Sequence, residues 1–270
     1  MAKLYLGSRE ITPAIAGSGQ ASGRYIEKDV DANGKLVSGS TMIDLTGVTD
    51  IGDYMLYGQY YNSSLSGALD MSSLTSLTGA YAMRDCFNGA GITSVNLSNL
   101  TTISGASAMQ TCFIYCSGLT NADLSNLTTI SGNTAMGGCF NSTGITSIDL
   151  SNLTTISGAN ALSSCFSYCT GLVSLSFASL STISGNGAMN TCFAYCTNLE
   201  SLSFPALTTT SFGTFVSQFN NMLNGTGTNK THTIHFPSNL ETTIQGLTGY
   251  PLFGGTSGYV TLAFDLTATS

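Results

Sequence analysis

Residues 108–132 read AMQTCFIYCSGLTNADLSNLTTISG, and residues 135–158 repeat the pattern as AMGGCFNSTGITSIDLSNLTTISG. The dipeptide Cys-Phe marks each unit. It recurs in steps of 26 or 27 residues, starting at Cys86, Cys112, Cys139, Cys165 and Cys192. A second landmark, the last apolar residue of a short alternating segment, keeps the same step at positions 45, 71, 97, 124, 150, 177 and 204. A fixed period of this length indicates stacked structural repeats, in which each unit covers the apolar side of the next.

Each unit divides into three parts with different expected backbone. The first is a short strand whose alternate apolar residues face one side. The second, SNLTTISG in three copies, is a turn segment that returns a Leu and an Ile to the core. In the third, Met109, Cys112, Phe113 and Cys116 are spaced i, i+3, i+4 and i+7, which is typical of one helix face. We therefore expect an α/β repeat solenoid with a parallel β-ladder on its concave side and short helices on its convex side.

The repeat resembles that of the BspA-like leucine-rich-repeat family, whose units read roughly F-x-x-C-x-x-L-x-x-I-x-L-P-x-x-L. The segments FIYCSGLTNADLSNLTTISG, from Phe113, and FAYCTNLESLSFPALTTTSF, from Phe193, match its key positions. The resemblance covers about residues 42–240 and implies a leucine-rich-repeat solenoid used for adhesion or general protein contacts. The units here carry an extra SGxxAM segment, so their convex side is expected to differ.

The pattern divides the chain into three regions. Residues 1–40 lack the repeat and are predicted to be an N-terminal arm or cap, with short strands at KLYLGS and near Tyr25. Residues 41–240 are predicted to form the solenoid. Residues 241–270 are predicted to be a C-terminal β cap, because the alternating segment from Tyr259 to Leu266 suggests a closing strand.

The opening segment KLYLGSREITPAI, at residues 3–15, resembles the start of structural proteins in tailed phages of gut bacteria. The N-terminus also lacks the apolar stretch of a signal peptide, so we expect no export by the general route. Together these features predict a virion protein of a tail, fibre or head decoration, with neighbouring virion proteins or a host-surface protein or glycan as partners. Two alternatives stay open: a bacterial cell-surface adhesin, and a homo-oligomeric filament subunit.

Composition narrows the class of partner. Asp, Glu, Lys and Arg together make up 8% of residues, against about 25% in typical proteins. The net charge is −7 with seven basic residues, which argues against nucleic acid, since phosphate binding needs clustered Lys and Arg. No apolar run approaches the ~20 residues that a membrane span requires, so membrane insertion is not expected.

The strand face directed away from the core is the predicted binding surface. Polar residues that can provide oxygen ligands recur there in register, at Asp70, Asn96, Asn121, Asp123, Ser147 and Asp149. Carboxylates brought close together by stacking repel each other, and a hard cation such as Ca²⁺ relieves that repulsion. The favoured interpretation is simpler: a solvated face that tolerates its charges and needs no cofactor.

The remaining candidate groups do not assemble into a catalytic site. The eight cysteines are interpreted as buried free thiols rather than disulfides or metal ligands, because equivalent cysteines point the same way and no histidine accompanies them. His232 and His235 are placed on opposite faces of a strand by their spacing. The sequence Asn-Leu-Thr at Asn99, Asn126 and Asn152 matches a glycosylation pattern but is attributed to the repeat. We therefore expect no enzymatic activity and no resident metal.

Overall fold

The computed structural model describes residues 48–208, 222, 223, 226, 231–245 and 260–267, together with the backbone of four short strands near the N-terminus. Those four strands are β1 (Leu4–Leu6), β2 (Arg9–Ile11), β3 (Arg24–Tyr25) and β4 (Ile43–Asp44). β1 pairs with β2 and β3 with β4, both antiparallel. Strands predicted at KLYLGS and near Tyr25 are thus confirmed.

The repeats alternate between two sets of short strands. In chain order they are β5 (Ser66–Asp70), β6 (Ser76–Leu77), β7 (Gly91–Asn96), β8 (Thr102–Ile103), β9 (Asn121–Asp123), β10 (Thr129–Ile130), β11 (Ser147–Ile148), β12 (Thr155–Ile156), β13 (Ser174–Ser176), β14 (Thr182–Ile183) and β15 (Ser201–Ser203). After them come β16 (His232–Pro237), a 3₁₀ turn (Ser238–Leu240), α1 (Glu241–Gln245) and β17 (Val260–Leu266). A strand therefore occupies the position predicted for the closing element.

All the solenoid strands stack in parallel. The first strand of each unit builds two sheets, in the orders β11-β9-β7-β5 and β13-β15-β16-β17. The second strand, the Thr-Ile pair of the turn segment, builds a further sheet in the order β14-β12-β10-β8-β6. Equivalent residues pair directly, as Ile130 does with Ile103 and Ile156. The predicted repeat solenoid with a parallel strand ladder is confirmed.

The third part of each unit is not a helix in residues 48–208, so the prediction of short convex helices is wrong there. Every fourth residue of this part has a positive φ, for example Tyr81 at 56° and Asp85 at 55°, which a right-handed helix does not allow. Backbone N–H groups alternate in their use. That of Met83 donates to Ala108 in the next unit (2.7 Å), whereas that of Arg84 donates to Tyr81 three residues back (3.3 Å).

This part is therefore a chain of turns bonded sideways to the next unit. We call it the turn ladder. An α-helix uses its N–H groups internally, whereas the turn ladder uses half of them to join neighbouring units. The i, i+3, i+4, i+7 spacing is satisfied either way, because successive turns also return a residue to the interior about every four positions.

The core lies between the three sides of each unit. One phenylalanine per turn ladder enters it, and these rings stack through five units at centroid distances of 5.2–5.7 Å with planes within 7° of parallel. The members of this phenylalanine column are Phe87, Phe113, Phe140, Phe166 and Phe193, all fully buried. Tyr60 extends the column at one end.

A row of glycines sets how closely the units approach. A Cβ placed on Gly132 would lie 2.2 Å from the carbonyl oxygen of Gly105, and one on Gly158 would lie 2.0 Å from that of Gly132. These contacts are with backbone, which cannot move aside. The glycine that ends each SNLTTISG segment is thus required by the stacking distance. Its φ is not positive in any of the three segments, so the backbone conformation is not the reason for glycine there.

Candidate functional site

The strand register brings the predicted oxygen ligands side by side. Asp70 pairs with Asn96, and Asn96 pairs with Asp123. In the parallel row, Asn121 pairs with Ser147. Asp149 directly follows β11. All six predicted residues are exposed or half-buried, so the sequence placed them correctly on the outer face of the strands.

Four of these residues stabilise the turn that follows their strand, and they are Asp70, Asn96, Asp123 and Asp149. The side-chain oxygen of each accepts a hydrogen bond from the backbone N–H two residues later. The distances are 3.0 Å for Asp70, 3.1 Å for Asn96 and Asp123, and 2.9 Å for Asp149. Such Asx turns reverse the chain after a strand. An amide serves as well as a carboxylate, which is why Asn occupies the position in one unit.

Within the described part of the chain, no group of three or more His, Cys, Asp or Glu side chains is arranged to hold a metal ion. What the hydrogen bonds show is that the acidic groups of the strand face act in Asx turns at the ends of strands. Calcium binding by the row stays a prediction.

Further polar rows join one unit to the next. The amides of the Asn-Leu-Thr asparagines donate to backbone carbonyls of the preceding unit, Asn99 to Ser72 at 2.8 Å and Asn126 to Ser98 at 2.7 Å. The hydroxyl of Thr101 likewise donates to Thr75, and that of Thr128 to Thr101. The repeat thus uses its surface Asn and Thr residues as ties along the solenoid.

The cysteines belong to the interior. All eight are buried and free. The thiols of Cys116, Cys169 and Cys196 lie 2.9–3.1 Å from phenylalanine carbonyl oxygens of a preceding unit, to which they donate. Burial raises the pKa of Cys116 from 9.0 to about 11 and raises the pKa of Cys112 well above its ordinary value. The reactive thiolate is therefore scarce at neutral pH, as the sequence interpretation of buried hydrophobic thiols requires.

The two histidines lie on opposite faces of β16, as predicted. His232 is buried, with Nδ1 against the carbonyl oxygen of Leu199. His235 is partly exposed, and its Nδ1 lies 2.9 Å from a carboxylate oxygen of Asp265 on the paired strand β17. The contact between His235 and Asp265 links β16 to β17. The two histidines have different partners and do not form a common site.

The sequence reasoning missed an exposed set of tyrosines on the turn ladder. Tyr115, Tyr168 and Tyr195 each lie two residues after a core phenylalanine and are 61%, 49% and 40% exposed. The rings of Tyr168 and Tyr195 stack at 4.5 Å with planes 6° apart. Nearer the N-terminus, Tyr54 stacks on Tyr81 at 4.8 Å. The repeated F-x-Y is the signal that could have located them, because residues at equal positions in stacked repeats become neighbours.

Among the helices of the described residues, none has the length and apolar composition of a membrane span.

The repeat of this chain matches a family of known repeat proteins. A family model described as the BspA type leucine-rich repeat region matches in six copies, over residues 47–172, 84–221 and 140–245. Among solved structures, a leucine-rich repeat protein from Bacteroides ovatus is 17% identical, with 80% of this chain and 75% of that chain covered and a TM-score of 0.21. Comparison with curated proteins gave no match.

Proposed function

The chain belongs to the BspA-type leucine-rich-repeat family, and on that premise we propose that it is a virion protein of a phage, in a tail, fibre or head decoration. Its role there is non-enzymatic. The solenoid presents an ordered surface to a host-surface molecule or a neighbouring virion protein, and residues 1–40 attach it. Repeat proteins of this family typically serve protein contacts rather than catalysis.

The observation that carries a binding role is the order imposed on the polar surface. Thr75, Thr101, Thr128 and Thr154 form a continuous row in which each hydroxyl bonds the carbonyl of the threonine one unit earlier. Side chains held in this way lose little further freedom when a partner binds, and preorganisation of that kind strengthens binding. The main buried nucleophiles, by contrast, are thiols held protonated by burial.

The virion assignment rests on the N-terminal segment. Residues 3–15 resemble the opening of tailed-phage structural proteins. Within residues 1–40, β1 and β2 pair antiparallel, unlike the parallel strands of the solenoid. Both observations favour a distinct attachment segment.

The test is the location of the chain during infection. Particles purified by density gradient, analysed by mass spectrometry and by immunogold labelling of a tagged chain, are expected to contain it in constant proportion to the major capsid protein. A chain absent from particles contradicts the proposal, and its recovery in the host envelope fraction favours the cell-surface adhesin. Particles assembled with residues 1–40 deleted from the chain are expected to lack it, whereas deletion of residues 241–270 serves as the matched control.

A further inference from the structure

The exposed large hydrophobic side chains of the described residues are concentrated on one side of the solenoid. Six of the seven are tyrosines of the turn ladder, and Val173, beside β13, is the seventh. We call these six the tyrosine face: Tyr54, Tyr57, Tyr61, Tyr115, Tyr168 and Tyr195. Leucine, isoleucine, methionine and phenylalanine are absent from this exposed set, so the face is made of rings that carry hydroxyl groups.

Comparison between units shows that the fold does not require these tyrosines. At the position two residues after the core ring, Tyr115, Tyr168 and Tyr195 have φ of 60–62°. The same position holds Ser142 at 58° and Gly89 at 71° in sister units. A bulky side chain is disfavoured in this left-handed conformation, yet it occurs three times where serine or glycine suffices. Binding of a ligand explains the presence of tyrosine at this position better than packing within the fold does.

The charge of the face restricts the partner. Arg84 lies over the rings of Tyr57 and Tyr81, at 5.9 and 5.5 Å from their centroids, and its Nε is 3.3 Å from the carboxylate of Asp85. The first turn ladder also carries Asp53, beside Tyr54. The later turn-ladder segments 106–117, 133–143, 159–170 and 186–197 contain no Asp, Glu, Lys or Arg. An acidic or basic ligand therefore gains no electrostatic attraction over the part of the face that holds Tyr115, Tyr168 and Tyr195.

From these observations we propose that the tyrosine face binds an uncharged polysaccharide, a claim that rests on and deepens the binding role proposed above. Tyrosine rings offer flat apolar surface with a polar tip, which suits the C–H faces and hydroxyl rims of sugars. Ser163, Thr170 and Asn190 of the same segments carry further hydroxyl and amide groups. A protein is the other partner that such a face suits, because Tyr and Arg are enriched at protein interfaces. The exposed hydrophobic side chains of this face are rings that carry hydroxyl groups, with no aliphatic residue among them, and this favours the polysaccharide.

The experiment uses the full chain with soluble uncharged glucan, mannan and galactan as probes, and polygalacturonate as an acidic comparator. Affinity electrophoresis selects the bound polymer and titration calorimetry measures it. The test variant is Tyr115→Ser, Tyr168→Ser and Tyr195→Ser combined, since Ser142 shows that serine fits this backbone. The matched control is Val173→Ser, which removes an exposed apolar side chain from another part of the surface. Circular dichroism and melting temperature establish that both variants fold.

The expected result is binding of at least one uncharged polymer, with Kd raised roughly tenfold or more in the triple variant, as for loss of aromatic anchors, and unchanged in the control. Failure to bind any uncharged polymer overturns the inference, as does equal binding by a folded triple variant. Capture of a protein partner lost in the triple variant overturns it in favour of a protein interface. A chain found in virions that binds no glycan refutes this inference alone, whereas glycan binding by a chain absent from virions refutes the virion proposal alone.

Discussion

Two rows of residues run along the turn ladder only two positions apart, and they follow opposite rules. The inner row is the phenylalanine column, in which five consecutive units have the same residue, fully buried and stacked. The outer row holds Gly89, Tyr115, Ser142, Tyr168 and Tyr195, all with positive φ. Within each row the backbone repeats from unit to unit, so the uniformity of the inner row and the variation of the outer row are produced by what covers each side chain.

The inner ring is enclosed by the ring of the next unit, and any change in its size leaves a void or a clash. The outer side chain meets solvent, so residues from glycine to tyrosine are accommodated. The same residue recurs in the inner row because packing requires it. The residues of the outer row are free of that requirement and are therefore able to serve binding. The predictions below separate these two cases, from the largest expected effect to the smallest.

Phe140→Ala is expected to be the most disruptive change. Phe140 stacks between Phe113 and Phe166 at 5.7 Å from each, and removal of a buried phenylalanine costs about 3–5 kcal/mol of unfolding free energy. Equilibrium denaturation with urea measures the loss. Ser142→Ala, in the outer row of the same unit, is the control and is expected to change stability by less than about 0.5 kcal/mol. Equal losses in the two variants would contradict the distinction between the rows.

Gly132→Ala tests the spacing between units. The added Cβ would lie 2.2 Å from the carbonyl oxygen of Gly105, and overpacking of this kind costs about 1–3 kcal/mol or more. Gly118→Ala is the matched control, because its Cβ would meet its nearest neighbour at 3.5 Å, an ordinary contact. Thermal unfolding is expected to show a clearly lowered melting temperature for the first variant and little change for the second.

Asp123→Ala is expected to cost about 1 kcal/mol, the typical worth of a hydrogen bond, since Oδ1 of Asp123 accepts bonds from the backbone N–H and the hydroxyl of Ser125. Asp123→Asn keeps the acceptor, as Asn96 does in its unit, and is expected to be nearly neutral. Melting temperatures of both variants, with and without calcium, measure this. A calcium-dependent rise in the natural chain that the Asn variant lacks would instead support ion binding by the strand face.

Tyr168→Ser is expected to have the smallest effect on stability, within about 0.5 kcal/mol. Loss of the stacking contact with Tyr195 is offset by relief of a bulky residue at φ 60°. Urea denaturation tests this. A large loss of stability would mean that the outer tyrosines serve packing, and would remove the argument that they are present for a ligand.

Sequence periodicity was sufficient to predict the stacked units, the parallel strands and the interior position of the Cys-Phe pair. It also placed Asp70, Asn96 and Asp123 in register, because residues at equal positions in stacked repeats must become neighbours. It did not reveal that these side chains close Asx turns, since the hydrogen bond depends on the local backbone after the strand. The helix prediction was wrong in residues 48–208 because residue spacing records which side chains face inward, not which backbone groups are bonded.

The sequence by itself determined the repeat, its 26/27-residue step and the division into apolar and polar positions. The reason is that the type and spacing of residues decide which apolar side chains are able to be buried together. Only the tertiary structure decided that the third side is a ladder of turns, and hence that every fourth residue adopts a positive φ and that the tyrosines emerge on one face. The physical reason is that backbone N–H groups must find acceptors. Here half of those in the turn ladder find them in the next unit, a choice that becomes available only once the units are stacked.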